Sequence, residues 1–372
     1  GELNAINYYR AIKYRETVGL FPATIPNDEL TFETVTQING GLDISLLGSR
    51  FSANVDVYQS VTNDVFTYTP IEVYYGYGYK PDNSGEIQNT GIDLGIFMRM
   101  FDKSAFTWDI QMTVSRLKNE ITEMKADKLV TELEGSEIVN MPGQQVNSFY
   151  GYLFEGVYSN TLEAENAGLV NNRNTPFRAG DAIFADLSGP EGVPDGVIDK
   201  YDKTVLGSSL PELFGGMNNI FAYKRWRLDV FLQFVKGNEL FNYVRSQNEN
   251  MKGLQNQSVH VLNRWQYEGH QTMIPRATWE DVQGNSSFSS RWIEDGSYLR
   301  VKNISLSYTI PDNFMAFKNA QFYVTGSNLF TFSDYLGYDP EFAHSHSQIE
   351  QGIDYGQIPN PRQFIIGFKL GL

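Results

Sequence analysis

Cysteine is missing from all 372 residues. Its absence excludes disulfide frameworks, thiolate metal sites and cysteine nucleophiles. Uninterrupted apolar runs are missing too, and nothing approaches the ~18 residues of a membrane-spanning helix. Positive charge is scarce: 29 Lys+Arg against 44 Asp+Glu leave a net charge of −15. A nucleic-acid binder would show a basic face, so no nucleic-acid partner is expected. The P-loop, the dinucleotide fingerprint and the nucleophile elbow are also absent, which argues against an enzyme. The chain opens on Gly1, with no initiator Met and no signal peptide, and is read as a piece of something processed or longer.

Aromatic residues, by contrast, are abundant: 22 Tyr and 25 Phe bring the aromatic share to 14%. They fall within long stretches of period-two alternation. Phe106, Trp108, Ile110, Met112 and Val114 alternate with Thr107, Asp109, Gln111, Thr113 and Ser115. The preceding run sets Ile92, Leu94, Ile96, Met98 and Met100 against Asp93, Gly95 and Arg99. Further on, Trp226, Leu228, Val230, Leu232 and Phe234 alternate with Arg227, Asp229 and Gln233. Each pattern is a strand with one apolar and one polar face. About ten strands are expected, near 31–46, 50–68, 86–101, 104–121, 146–158, 208–223, 225–240, 292–311, 317–333 and 362–372. Short turns join some of them at 47–50, 101–104 and 223–225. Long polar loops follow others near 69–88, 122–145, 160–205, 242–290 and 334–361. Only 257–267 reads as helical.

A soluble β-sandwich also alternates, because one face packs inward while the other is solvated. Three features favour a membrane barrel. The strands are longer than the usual ~5–6 residues of a globular sheet. The apolar faces carry aromatics near their ends, and short turns alternate with long loops. The polar faces carry Asp43, Asp56, Asp93, Asp109 and Asp229, which suit an aqueous lumen. The expected fold class is therefore all-β, an antiparallel transmembrane β-barrel contacting the lipid bilayer.

Several stretches resemble the SusC/RagA family of TonB-dependent outer-membrane transporters of Bacteroidetes. They are FETVTQINGGLDISLLGSRFSANVDVYQSVTNDV (32–65), NTGIDLGIF (89–97), SFYGYLFEGVY (148–158), RWIEDGSYLRVKNISLSYTIP (291–311) and GSNLFTFSDYLGYDPE (326–341). GIDYGQIPNPRQFIIGFKLGL (352–372) resembles the family's final strand. The resemblance implies the C-terminal portion of a plugged barrel of about 22 strands. Residues 1–30 would be a loop or strand end of the upstream barrel, and 31–372 the C-terminal barrel portion. The plug and the TonB-contacting segment are expected outside this chain. Open sheet edges are not tolerated in lipid, so an upstream barrel and plug part must supply the remaining strands. The implied role is uptake of oligosaccharides or peptides together with a SusD-like lipoprotein, in the outer membrane of a Gram-negative bacterium. The alternatives are a SusC-like scaffold subunit of a larger complex, or a soluble carbohydrate-binding β protein.

Candidate site residues follow from the resemblance and from side-chain chemistry. In GDAIFADLSGPEGVPDGVIDKYDKTVLG (180–207), Asp186, Asp195, Gly196, Ile198, Asp199 and Asp202 match the family's acidic loop, and Ser188 stands where Asn is usual. Oxygen ligands at Asp186, Ser188, Asp195, Asp199 and Asp202 suit Ca2+; the alternative is a solvated acidic loop without metal. Tyr74, Tyr75, Tyr77 and Tyr79 form a tyrosine-rich tip suited to stacking on sugars or gripping peptides, or to loop packing. For Phe149, Tyr150 and Tyr152 the packing reading is preferred. His344 and His346 read as surface loop rather than metal ligands. Adjacent Glu294 and Asp295 point to opposite strand faces and cannot act as a catalytic pair. Phe364, Ile366, Phe368, Leu370 and Leu372 form the apolar face of the last strand, similar to the barrel-assembly signal.

Overall fold

The computed structural model describes residues 9–14, 17–22, 25–71, 79–311, 318–342 and 347–371. Its frame is one nine-stranded sheet in which each strand pairs with the next in chain order. The strands are β1 (Thr34–Leu46), β2 (Phe51–Pro70), β3 (Tyr79–Lys103), β4 (Phe106–Glu123) and β5 (Leu213–Tyr223), then β6 (Trp226–Lys236), β7 (Tyr298–Thr309), β8 (Lys318–Phe332) and β9 (Gln363–Gly371). All eight pairings are antiparallel. Among the described residues neither β1 nor β9 has a partner on its outer side. Among the described residues the sheet is an open up-and-down meander, with its ladder groups unpaired at both edges.

The tight turns fall where expected. Leu47, Gly48 and Ser49 all take positive φ (55°, 63° and 66°), reversing the chain between β1 and β2. Lys224 does the same between β5 and β6 at φ 54°. Neighbouring turns also bond to one another: the Lys224 amide donates to the Ala105 carbonyl at 2.9 Å, and the Thr309 amide to that of Arg225 at 2.9 Å. One end of the sheet is thus a row of short turns, and every long connection leaves from the other end. One glycine in the wall is there for space. Gly91 lies beneath the Tyr58 ring, where an added Cβ would sit 2.3 Å from a ring carbon.

The long connections fold into a layer of their own. Leu129–Leu133, Ser136–Asn140, Ser148–Tyr152 and Lys203–Gly207 make a four-stranded sheet. Two apolar cores hold the layer together. Tyr158, Ala164, Phe177, Ala182, Phe184 and Ile198 form one. Ile138, Phe149, Phe241, Trp292 and Ile353 form the other, drawing a residue from each of the long connections.

Four expectations need correcting. The sheet has nine strands because 146–158 folds into the loop layer, as Ser148–Tyr152 and Phe154–Val157. Ser148, Phe149, Tyr150 and Gly151 are buried on both strand faces, which apolar–polar alternation does not reveal. The connection at 69–88 is shorter than expected, since β3 already begins at Tyr79. The segment at 257–267 holds only the 3-10 turn Val259–Asn263. Among the described residues the α-helices are Thr161–Ala167, capped by the Asn160 side chain and by Gly168 at φ 66°, and Tyr243–Asn248.

Candidate functional site

The register places all outward alternation on one continuous face. On β4, Met112 lies between Ile96 of β3 and Met217 of β5, and Val114 between Leu94 and Gly215. The stripe continues through Leu232, Val301 and Phe330 on one side, and through Val55 and Leu42 on the other. Apolar side chains here are exposed with no protein to cover them: Ile38, Leu42, Val57, Ile92, Leu306, Phe364 and Ile366 among them. Toward the short turns the face becomes aromatic. The Trp108 ring stacks between Phe101 at 5.8 Å and Phe221 at 5.4 Å, and Trp226 meets Tyr308 at 4.8 Å. The Trp108 indole also donates to the Asn219 side-chain Oδ1 at 3.3 Å, satisfying a polar group on this apolar face. An apolar band ending in an aromatic girdle is the lipid face of an outer-membrane barrel.

The opposite face is polar. Asp56 stands directly across from Asp93. Arg99 makes a two-bond fork to Asp109 at 2.8 and 3.1 Å, and Arg227 one to Asp229 at 2.9 and 2.8 Å. Ile220 separates the two pairs in register. These charges belong in water, which makes this the lumen wall. At its long-loop end a cavity of about 680 Å3 opens between wall and loop layer, lined by Ile87, Asn89, Asn119, Ile121, Asn140 and Gln348 among others. Asn119 sets its shape. Its amide nitrogen donates to Asn89 at 2.7 Å, and its oxygen accepts from the Val146 amide at 2.9 Å.

Buried ion pairs anchor the loop layer over this mouth. Arg300 on β7, 1% exposed, bonds to Asp339 and, at 2.7 Å, to Glu341, which also takes Lys302 at 2.8 Å. Asp339 accepts further from the amides of Glu341 and Asn360. Burial raises the Asp339 carboxyl, but the Arg300 guanidinium and these amides outweigh it and hold the group below its ordinary value. Asp181 is fully buried, forked by Arg276 at 2.8 and 3.2 Å and bonded by Asn285 at 2.9 Å. Glu249 sits among Arg245, Arg291 and His260. Burial pushes the Arg291 guanidinium down to about 10, while its plane lies 4.2 Å over the Trp292 ring. Sequence reasoning singled out none of these pairs; the partners of Arg300 and Arg276 lie 39 to 95 positions away.

The acidic loop is ordered by its own backbone. Asp186 accepts from the amides of Asp195 at 3.3 Å and Gly196 at 2.8 Å. Fully buried Asp202 takes those of Leu187 at 2.8 Å, Ser188 at 3.2 Å and Asp199 at 2.8 Å. Asp195 and Asp199 accept from Val197 and Tyr201 in the same manner. Among the described residues no three His, Asp or Glu side chains converge as a metal-binding group. In this arrangement the carboxylates act as turn caps. Ser188 directs its hydroxyl to the Gly189 carbonyl at 3.4 Å.

Tyr74, Tyr75 and Tyr77 lie outside the described residues, as do His344, His346 and Leu372. Tyr79 opens β3 and is half exposed. Phe149 and Tyr150 are buried in the loop layer, in keeping with the packing reading. Phe364, Ile366, Phe368 and Leu370 all lie exposed on the edge strand β9. Glu294 and Asp295 separate as expected: Glu294 takes Arg245 at 2.8 Å, and Asp295 accepts from the Ser297 amide.

A strand meander with a lipid face, a polar wall and a loop layer at one end defines a segment of an outer-membrane β-barrel. The chain belongs to the TonB dependent receptor-like, beta-barrel family, whose model matches residues 3–220. It is 30% identical to TonB-dependent receptor P3 of Formosa agariphila, over 97% of this chain and 36% of that protein. It is 24% identical to TonB-dependent receptor SusC of Bacteroides thetaiotaomicron, over 92% of this chain and 32% of SusC. Among solved structures, the RagAB peptide transporter superposes with TM-score 0.78 and 24% identity, covering 99% of this chain and 38% of that one. The chain therefore spans about a third of the proteins it matches. These relatives are named as receptors and a transporter, not as enzymes.

Proposed function

We propose that this chain is the C-terminal wall and part of the roof of a nutrient importer in the outer membrane of a member of the Bacteroidetes. The importer would take up oligosaccharides or peptides. The single observation that carries this reading is the continuous division of nine strands into a lipid face and a polar face, with a loop layer over one mouth. Upstream strands close the barrel against β1 and β9, because open edges in hydrocarbon leave backbone groups unsatisfied. Residues 1–30 belong with that upstream part, and a plug there would contact TonB. A SusD-like lipoprotein covers the loop layer, by analogy with the SusC and RagAB relatives. The cell-facing role of the wall is passive: it supplies water-filled space, polar side chains and a rigid frame, with no covalent step.

The test is uptake of labelled oligosaccharides and labelled oligopeptides by cells with and without the intact gene. We expect deletion to abolish uptake of one class, and collapse of the proton-motive force to have the same effect. Unchanged uptake combined with loss of a larger outer-membrane complex would instead identify a scaffold.

A further inference from the structure

The outward face of the wall meets the long loops in a short row of charge. On β4 that face runs from Phe106 through Ile110 and Val114 to Arg116. Phe106 to Arg116 spans about 33 Å along the strand. At a ~40° tilt that is about 25 Å of bilayer height, the depth of the apolar band in such barrels. Arg116 therefore stands at the band's upper edge. Lys236 stands at the same level two strands away, at the far end of β6 from Trp226. Leu213 on β5 is the direct partner of both, so all three side chains share the outward face.

Two hollows flank this row. One of about 520 Å3 opens beneath the turn at 143–145, with Ile92, Arg116, Lys118 and Glu120 in its lining. The other, of about 450 Å3, is lined by Phe234, Lys236, Leu299 and Phe332, and also by Asp295 and Asp334. Leu299 and Phe332 are exposed there. The charges are unequally engaged. Lys118 is paired with Glu120 at 2.5 Å, and Asp295 accepts the Ser297 amide at 2.8 Å. Glu212, next to Leu213, belongs to the opposite face. Its side chain lies beside Gly237, where an added Cβ would sit 3.1 Å from the Glu212 Cγ. Arg116 and Lys236, both exposed, make no side-chain hydrogen bond or ion pair among the described residues.

A chain of net charge −15 repels an anionic surface except where cations stand forward of it. Two unpaired cations at the edge of hydrocarbon call for anions that belong to the membrane itself. Long loops mark the exterior side of an outer-membrane barrel, and the exterior leaflet of that membrane is built of lipopolysaccharide. We propose, on the outer-membrane reading above, that Arg116 and Lys236 together hold the phosphorylated glucosamine head group of one lipopolysaccharide molecule. Arg116 donates its planar fork to a phosphate, the geometry for which guanidinium is suited. Lys236 adds a second positive charge about 10 Å away, across two strand spacings. Leu213, Leu299 and Phe332 meet the first carbons of the acyl chains. Direct contact with cations needs no bridging divalent ion, so it survives chelation.

The experiment uses the intact transporter. Its recovery with the outer membrane of its host is read first. Recovery elsewhere would overturn the membrane placement on which the inference rests; every later result bears on the head group alone. The purified, delipidated protein in detergent is then titrated with fluorescent lipopolysaccharide and with the same lipid after enzymatic dephosphorylation, binding being read by anisotropy. We expect saturable binding of the phosphorylated lipid, about tenfold weaker binding once the phosphate is removed, and no displacement by millimolar inorganic phosphate. Arg116→Gln and Lys236→Gln each weaken binding about tenfold, the size of one charge-assisted contact, and Arg116→Lys recovers part of the loss. Lys103→Gln removes an outward cation at the opposite, short-turn rim, where Lys103 pairs with Phe106, and leaves binding unchanged. Heat-modifiable gel mobility verifies that each variant barrel is folded, and Lys236→Gln carries the test should Arg116→Gln not assemble. Equal binding by wild type and the folded variants overturns the inference. So does equal weakening by Lys103→Gln, which would mark a general charge effect, or indifference to dephosphorylation. Displacement by inorganic phosphate would mark a site for a free solute, and release by chelator alone a metal bridge; either overturns it too.

Discussion

The wall and the loop layer solve the same problem with different partners. Nearly all the fully buried large apolar side chains, Ile138, Phe149, Phe241, Trp292 and Ile353, lie in the loop layer. The nine-stranded sheet leaves its apolar residues bare, from Ile38 and Leu42 on β1 to Ile366 and Phe368 on β9. A soluble sheet this exposed would not hold together. The wall's apolar partner is lipid, and its cohesion is the backbone ladder, which hydrocarbon makes costly to break. The loop layer is built like a small water-soluble domain, with dry cores and buried ion pairs. Damage to one should therefore leave the other standing.

The largest expected effect is in the layer. Phe149 is fully buried against Phe288 and its neighbours in the second core. We predict that Phe149→Ala destabilises the loop layer by about 3–5 kcal/mol, the range for large aromatic deletions in packed cores. Hydrogen exchange read by mass spectrometry should show amides at 129–152 and 237–297 losing protection, while β4 through β8 stay protected. Loss of protection in both regions at once would make wall and roof a single cooperative unit, and the comparison would fail.

Next comes a contrast within the wall. Ile110 faces the bilayer near mid-band, whereas its neighbour Gln111 faces the lumen. Arginine at 110 should cost about 2–4 kcal/mol and arginine at 111 about zero, because depth in lipid penalises only the outward position. Reversible unfolding in detergent or lipid would measure both. Equal costs would mean that the two faces are misassigned.

The wall's two faces were legible in the sequence because alternation is a local property. Nine neighbouring residues such as 106–114 suffice to distinguish lipid from lumen. The loop layer was not legible, because its cores join residues as distant as Ile138 and Ile353. Segment 146–158 shows why a local pattern misleads. It alternates like a barrel strand, yet Gly151 sits under the Phe288 carbonyl, Gly156 takes φ 149°, and both strand faces are packed. One local signal was readable: Asn160, then Glu163, then Gly168 spell the start and end of a short helix. The acidic loop is legible as a motif, while the amides that its carboxylates accept are not. Aspartates that cap turns recur at much the same spacing as aspartates that ligate a cation, and only the amides pointing at them tell the two apart.

A smaller effect sits where wall and roof meet. Arg300 on β7 and Asp339 in the loop after β8 form the joint, and the Asp339 carboxyl is held below its ordinary value. For a depressed carboxyl the stabilisation is present at neutral pH and lost as pH falls through the lowered value. Pepsin cleavage within 333–362 should therefore rise only below about pH 4, the ordinary carboxylate range. Asp339→Asn should cost about 1.5–3 kcal/mol at pH 7, the worth of hydrogen bonds to a charged group, and should flatten that acid response. An unchanged acid response in the variant would place the pH sensitivity elsewhere.

The smallest expected effect separates the two chemistries of the acidic loop. Asp199 caps the short 3-10 turn Lys200–Asp202, its carboxylate taking the Tyr201 amide at 2.8 Å while Asp202 returns a bond to the Asp199 amide. Asp199→Ala should cost about 1 kcal/mol, the usual worth of such a cap. Asp199→Asn should cost almost nothing, because asparagine caps as well as aspartate. A cation site would answer differently, since the lost negative charge weakens it even though the amide oxygen can still coordinate. Chelation should accordingly leave exchange at 186–202 unchanged in wild type. If Asp199→Asn instead behaves like Asp199→Ala, and chelator reproduces both, the carboxylates bind a cation after all. The loop layer would then be held by metal as well as by its own backbone.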